Sequence, residues 1–409
     1  MVSVVRSSDT SHDTLGALSN VPLSKNTLQN SSASVPWGDY KIVYKQQSEC
    51  ALILFSQHTQ TSECFVIKLL REYKDTRYSL KTLAERQLCQ LEAVRQNREF
   101  TPDIHLGLAR VEALDLEKMS ISIDGFIKDP VQEMLDKESE YALIMKQLPA
   151  DRRVDCLLQE SAEPVQQDYI QLLALQVFSM HMHKKHFANS LSHKDEELWG
   201  GAEQLERKLQ HNFHLLDLVL TIDENECSKA WNRLESRLTV LKEALYDAFT
   251  QWQSCGYFEQ RVAEQRIKRC HGDLKSPNMW IMPKGQWHSK KAQVLVLDAA
   301  DFNPSYTHID ILSDVALLAV DIQARTRSSS LANLFIQNYL HYTEQQDRVS
   351  EAVLAYYLVE KAIVGAAVSI VYDNLSDLGL AFLETAEMRL RSLQGGRSDQ
   401  SFMAFSRSR

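Results

Sequence analysis

Apolar and polar positions alternate with a period of two over residues 40–44, 51–55 and 64–70, with polar turns between them, and this predicts three strands. The period then changes. Leu80, Leu83, Leu88, Leu91 and Val94 recur at helical spacing, which predicts a helix over 79–98 with those five on its core face. Strands are predicted again at 108–113 and 121–123 and in the run 141–149. Beyond them the pattern is almost wholly helical. Residues 168–186 carry Leu172, Leu175, Phe178 and Met182 at helical spacing, and helices are expected at 202–220 and 227–253. One short apolar strand, 294–297, interrupts the run before helices at 316–324, 329–343, 350–373 and 375–393.

Strands first and helices second predict an α+β chain. The expected organisation is a β-rich part over 37–148 and a helical part over 149–393. The Ser-, Thr- and Asn-rich stretch 1–36 and the tail 394–409 lack periodicity and read as disordered extensions.

Composition changes this picture little. With 409 residues, 44% hydrophobic and 24% charged, the chain has the make-up of an ordinary globular protein long enough for two lobes. A net charge of −9 argues against a nucleic-acid partner. Seven scattered cysteines without a CxxC pair fit a reducing cytoplasm and no structural zinc. Cys270 reads as a small core residue. His181, His183 and His186 crowd one helix end, but the acidic partners of a zinc site are missing. No export signal is visible, and the most apolar stretch, 362–372, is too short to span a membrane.

The chemistry gathers late in the chain. His271–Asn278 reads HGDLKSPN, and the apolar run 294–297 ends on Asp298. A tight loop with His, Asp and Asn, followed by a strand that delivers a second Asp, supplies what phosphoryl transfer from ATP requires. One carboxylate orients and deprotonates the attacking hydroxyl, and hard oxygen ligands hold Mg2+ on the phosphates. Asp273 suits the first role; Asn278 and Asp298 suit the second. Taken singly, the same residues are turn and strand-end residues.

These blocks resemble the catalytic and metal loops of the aminoglycoside phosphotransferase and choline kinase family. The likeness is nearest to a bacterial subgroup whose motifs read roughly HGDLHLGN, FDCIEFN and WIDVASDLAFL. Here they read HGDLKSPN, LDAADFN over 297–303 and HIDILSDVALL over 308–318, in the same order. The resemblance implies a two-lobed protein-kinase-like fold, with a small β-rich N-lobe and a large helical C-lobe. It implies ATP and Mg2+ as cofactors and a small-molecule hydroxyl as the phosphate acceptor.

Further roles follow from the resemblance. Lys68, closing the strand 64–70, would hold the nucleotide phosphates, with Glu92 as its partner and Glu85 or Glu99 as substitutes. Met145 and Leu148 would lie where backbone groups meet the base, and Asp314 would brace the catalytic loop. Asp310 is left without an assigned role. Arg261 and Arg266, with Lys268 and Arg269, read as a solvated basic face, with help to the phosphate charge as the alternative. Two departures stand out. No glycine occurs between Tyr40 and Leu70, so no glycine-rich phosphate loop precedes Lys68. Lys275 replaces the subgroup's His, lies two residues after Asp273 as in Ser/Thr protein kinases, and could touch the transferred phosphate. The first departure motivates an alternative, a nucleotide-binding pseudokinase or scaffold; the second motivates a protein or lipid kinase.

Overall fold

Residues 37–74, 78–182, 199–221, 229–284, 293–300, 304–371 and 376–395 are described by a computed structural model. The expectations for 1–36, for most of the tail, and for His183, His186, Asp301 and Asn303 lie outside those residues. The described chain divides into two compact units. One holds residues up to Lys74, Ser79–Val94 and Asp103–Arg152; the other holds Tyr78, Arg95–Pro102 and the chain from Arg153 onward.

The first unit is built on antiparallel strands β1 (Gly38–Gln47), β2 (Ala51–His58), β3 (Cys64–Leu70), β4 (His105–Asp115), β5 (Ser120–Ile127) and β6 (Tyr141–Lys146). They close into a barrel in the order β1-β2-β3-β6-β4-β5. Alternation along each strand sends every second side chain inward. Tyr40, Ile42, Leu54, Phe65, Ile67, Ile123, Ala142 and Ile144 fill the interior. On β6 the intervening residues, Tyr141 and Leu143, are buried too, because they pack with Ala93 and Val94 of helix α1 (Leu83–Phe100).

Helix α1 departs from the periodicity reading. Leu80 precedes it, and Leu88 is 53% exposed. The start is set by a capping box: the Thr82 amide donates to Glu85 Oε2 at 2.8 Å, and the Glu85 amide donates back to Thr82 Oγ1 at 3.2 Å. Its buried face is largely polar, with Arg86, Gln87, Gln90 and Asn97 inside. Each has backbone to satisfy. Gln87 donates to the Asp136 and Ser139 carbonyls, and Arg86 to the Leu80 and Lys81 carbonyls and to Glu140. An apolar pattern cannot report a face that works by hydrogen bonds.

The second unit is helical: α2 (Val154–Glu160), α3 (Glu163–Met182), α4 (Ala202–Thr221), α5 (Lys229–Ser254), α6 (Tyr257–Ala263), the short α7 (Pro304–Thr307), α8 (Ile311–Thr326), α9 (Ser329–Thr343), α10 (Arg348–Val371) and α11 (Ser376–Gly395). One large apolar cluster joins α3, α4, α5, α8, α9, α10 and α11. On α3 the buried stripe is Leu173, Ala174, Val177 and Met180, and Leu175, expected inside, is 50% exposed. Two small ribbons complete the unit, β7 (Ile267–Arg269) with β10 (His308–Asp310), and β8 (Met279–Met282) with β9 (Gln293–Val296).

The apolar stretch is longer than the 362–372 read from the sequence. The stretch Arg348–Ile370 is long and apolar enough to cross a bilayer by length and composition, although 67% of its apolar window is buried within the structure. Its tight packing on α11 reflects this: a Cβ on Gly365 would run into the Phe382 ring.

Candidate active site

The motif His271–Asn278 is the connection from β7 to β8. Its backbone is held by buried side chains of α8. Asp314, 1% exposed, accepts from the amide of His271 on Oδ2 at 2.8 Å and from that of Gly272 on Oδ1 at 2.9 Å. Burial alone would raise the Asp314 carboxyl; hydrogen bonding from His181 and the nearby histidines outweigh it and hold the group below the usual carboxylate range. Gly272 has φ of +81°, and a Cβ there would collide with the Tyr306 carbonyl, so the turn needs glycine. His271 is fully buried. Its Nε2 donates to the Leu297 carbonyl at 3.0 Å, and its Nδ1 accepts from the Asp273 amide at 3.3 Å, so the ring ties the loop to the strand end.

Three of the site residues read from the sequence meet here. Asn278 Nδ2 donates to Asp273 Oδ2 at 3.1 Å and to the Asp273 carbonyl at 3.0 Å. Lys275 Nζ lies 2.9 Å from the same Asp273 oxygen, with both side chains about one-third exposed. Between them, Ser276 is pulled inward. Its amide donates to Asp321 Oδ2 at 2.8 Å, and its hydroxyl donates to the same oxygen. Asp321 is paired in turn with Arg325, which faces Asp155, itself bidentate with Arg153. Asp321 escaped the sequence reading. Its signal was there: a carboxylate in the largely apolar run 311–324, seven residues after Asp314 and thus on a similar helical face, must be paired if buried.

Asp298 follows β9 in a left-handed turn with φ of +61°, and its side chain is exposed. The Leu297 amide donates to the Asn278 carbonyl at 2.9 Å, and the Ala300 amide to the His271 carbonyl at 3.0 Å. The backbone on either side of Asp298 is therefore bonded to the two ends of the motif that holds Asp273.

Beneath the loop, His181, Cys270 and Asp314 bring ligand atoms within 4.8 Å of one another, all buried. A metal is poorly served there. Asp314 already receives two loop amides, His181 bonds Tyr339 Oη at 2.7 Å, and burial pushes the Cys270 thiol well above its usual range. Cys270 is a protonated core residue whose Sγ donates to the Ile309 carbonyl at 3.6 Å.

Arg261 corrects the basic-face reading. It is 1% exposed and bonds both oxygens of Asp310 at 2.7 Å, with Gln345 and Ser350 completing its donors. Asp310 also caps α8 by accepting from the Leu312 amide at 2.9 Å, so one buried pair anchors the start of the helix carrying Asp314 and Asp321. Arg269 is paired with Glu99 at 2.8 Å.

Lys68, Glu92, Met145 and Leu148 belong to the first unit. Lys68 is half-buried on β3, opposite Leu143 of β6, on the barrel face that carries α1. Gln90, two residues before the half-buried Glu92, donates to the Lys68 carbonyl at 3.0 Å and fixes the helix against that strand. Glu85 is used by the capping box and Glu99 by Arg269, which leaves Glu92 as the carboxylate candidate on this helix. Met145 pairs with Val66 near the end of β6, and Leu148 follows two residues after the strand ends.

No protein-family model matches the sequence, and no curated protein matches it. Solved structures do. An ethanolamine kinase from Plasmodium vivax is 12% identical with a TM-score of 0.44, covering 87% of this chain and 83% of that one. A choline kinase from Cryptosporidium parvum is 11% identical with a TM-score of 0.46, covering 88% and 89%. The GDP complex of an aminoglycoside 2'-phosphotransferase variant is 9% identical with a TM-score of 0.44, covering 88% and 93%. These three proteins are what the chain is similar to along most of its length.

Proposed function

We propose that this chain is an ATP- and Mg2+-dependent phosphotransferase with a protein-kinase-like fold, acting on a hydroxyl of a small molecule. The observation that carries the reading is the contact of Asn278 with Asp273 inside a loop pinned by His271, Asp314 and Asp321. A loop backbone held in this way is positioned in advance, which is where positional catalysis gains most.

The donor set suits the cofactor. Asn278 spends its Nδ2 on Asp273, which leaves its Oδ1 as an oxygen donor, and Asp298 offers an exposed carboxylate. Both are hard oxygen ligands of the kind Mg2+ takes. When bound, the ion would neutralise charge on the nucleotide phosphates. Asp273 orients the acceptor hydroxyl and takes its proton as the oxygen bonds to the γ-phosphorus and the bond to the β-phosphate oxygen breaks, releasing ADP. Lys275, now paired with Asp273, is placed to balance charge on the moving phosphoryl group. Lys68, braced by Glu92, holds the phosphates in this reading, and the backbone around Met145 and Leu148 meets the base. A cytoplasmic location is part of the same reading.

The test is a screen of metabolite hydroxyls for Mg2+-dependent ATP consumption, with the phosphorylated product confirmed by mass spectrometry. ADP and a phosphomonoester forming in equal amounts would support the reading. A second reading, transfer to a protein hydroxyl, rests on Lys275 two residues after Asp273. Label from ATP appearing on added proteins but on no metabolite would favour it.

A further inference from the structure

The C-terminal end of α1 and the residue that follows it hold the edge of β9. Asn97 and Thr101 are four residues apart on one helical face, 1% and 3% exposed. Thr101 Oγ1 donates to the Val296 carbonyl at 2.6 Å and accepts from the Val296 amide at 3.2 Å. Asn97 Oδ1 accepts from the Ala299 amide at 2.9 Å. On its other side β9 pairs with β8, Val296 lying opposite Met279. Two side chains thus do for this edge what a neighbouring strand would do.

Their placement brackets Asp298. Val296 is held by Thr101, Leu297 by Asn278 and His271, Ala299 by Asn97, and Ala300 by His271. Asp298 between them adopts a left-handed φ of +61°, a conformation that persists in a non-glycine residue when its surroundings fix it. The buried polar atoms of Asn97 and Thr101 would be costly without these bonds, and apolar residues would suit the site if only packing mattered.

We infer that Asn97, assisted by Thr101, is a positioning residue for Asp298: it sets the turn that aims the carboxylate, and so sets the affinity for the divalent cation. The inference rests on the proposed role of Asp298 as a cation ligand. It adds the residues that make that ligand effective.

The experiment is calorimetric titration of Mn2+, as a probe of the site, into the full chain with saturating ADP. Asn97→Leu keeps the branched outline and removes the acceptor. Thr101→Val and Thr101→Ser form a separate pair should Asn97→Leu not fold. Loss of a residue that orients a metal ligand typically weakens affinity about 10-fold or more, so Asn97→Leu and Thr101→Val should raise the Mn2+ Kd by that factor, with Thr101→Ser close to wild type. ADP affinity without metal should not change. Wild-type Mn2+ affinity in both Asn97→Leu and Thr101→Val, alongside lost affinity in Asp298→Asn, overturns the inference and leaves the cation role standing. Unchanged affinity in Asp298→Asn overturns both.

Discussion

Asp321 accepts the backbone N–H and the hydroxyl of Ser276 on a single carboxylate oxygen, and its other oxygen is bonded to Arg325 at 2.7 Å. The middle of the HGDLKSPN motif is thereby fastened to α8 through a buried charge. The two sides of this contact should not be equivalent. Ser276→Ala removes one hydrogen bond and keeps the amide contact, at a cost of about 1 kcal/mol. Asp321→Ala leaves Arg325 and the loop amide without their acceptor, at a cost of about 3–5 kcal/mol. Urea unfolding of both variants measures the difference; equal losses would mean that the charge network does not hold the loop.

The Arg261–Asp310 pair makes a similar prediction further from the chemistry. Arg261→Met strands a buried carboxylate at the start of α8, and the expected loss is about 3–5 kcal/mol. Replacing both partners by apolar residues should recover much of it, since the desolvation cost then disappears. A double variant no more stable than Arg261→Met would show that the helix cap supplied by Asp310, rather than the charge pair, is what matters here.

Lys208 on α4 gives a pH dependence. Burial, and then the Lys361 ammonium, push it down from 10.5 to about 7, with Glu360 pulling the other way and Cys270 also nearby. The folded state thus binds fewer protons than the unfolded state between about pH 7 and 10.5, so this group makes stability rise with pH through that window. The contribution is full above the upper limit and is lost as pH falls through 7. Lys208→Met should flatten the rise, narrowing its advantage over wild type by about 2 kcal/mol between pH 7 and 9, as read by chemical denaturation. Parallel curves for the two proteins would contradict the assignment.

Much of the fold was legible because strands and buried helices obey simple periods. The third strand is expected at 64–70 and is found at Cys64–Leu70; the helix expected at 329–343 is found at Ser329–Thr343. What failed was the assumption that burial means apolar. Leu88 and Leu175 lie outside, while Arg86, Gln90, Asn97 and Arg261 lie inside. The buried faces of α1 and α6 carry polar groups that bond backbone carbonyls, amides or a buried carboxylate, and one-dimensional spacing carries no record of those partners.

The candidate site divides in the same way. The motif itself gives Asp273, Lys275 and Asn278, which meet through side-chain contacts. Asp321, Asn97 and Thr101 hold that loop and the strand beside it from distant stretches of chain. Only tertiary structure brings Asn97 to Ala299, 202 residues away in sequence.

The most direct test of the central claim compares wild type with Asp273→Ala in two assays on the same samples, Mg2+-dependent turnover of ATP with an acceptor found by the metabolite screen, and equilibrium binding of ADP. General-base and orientation effects together are worth about 1,000-fold or more, so turnover should fall by at least that factor while ADP affinity stays near wild type. Full turnover in Asp273→Ala would contradict the account.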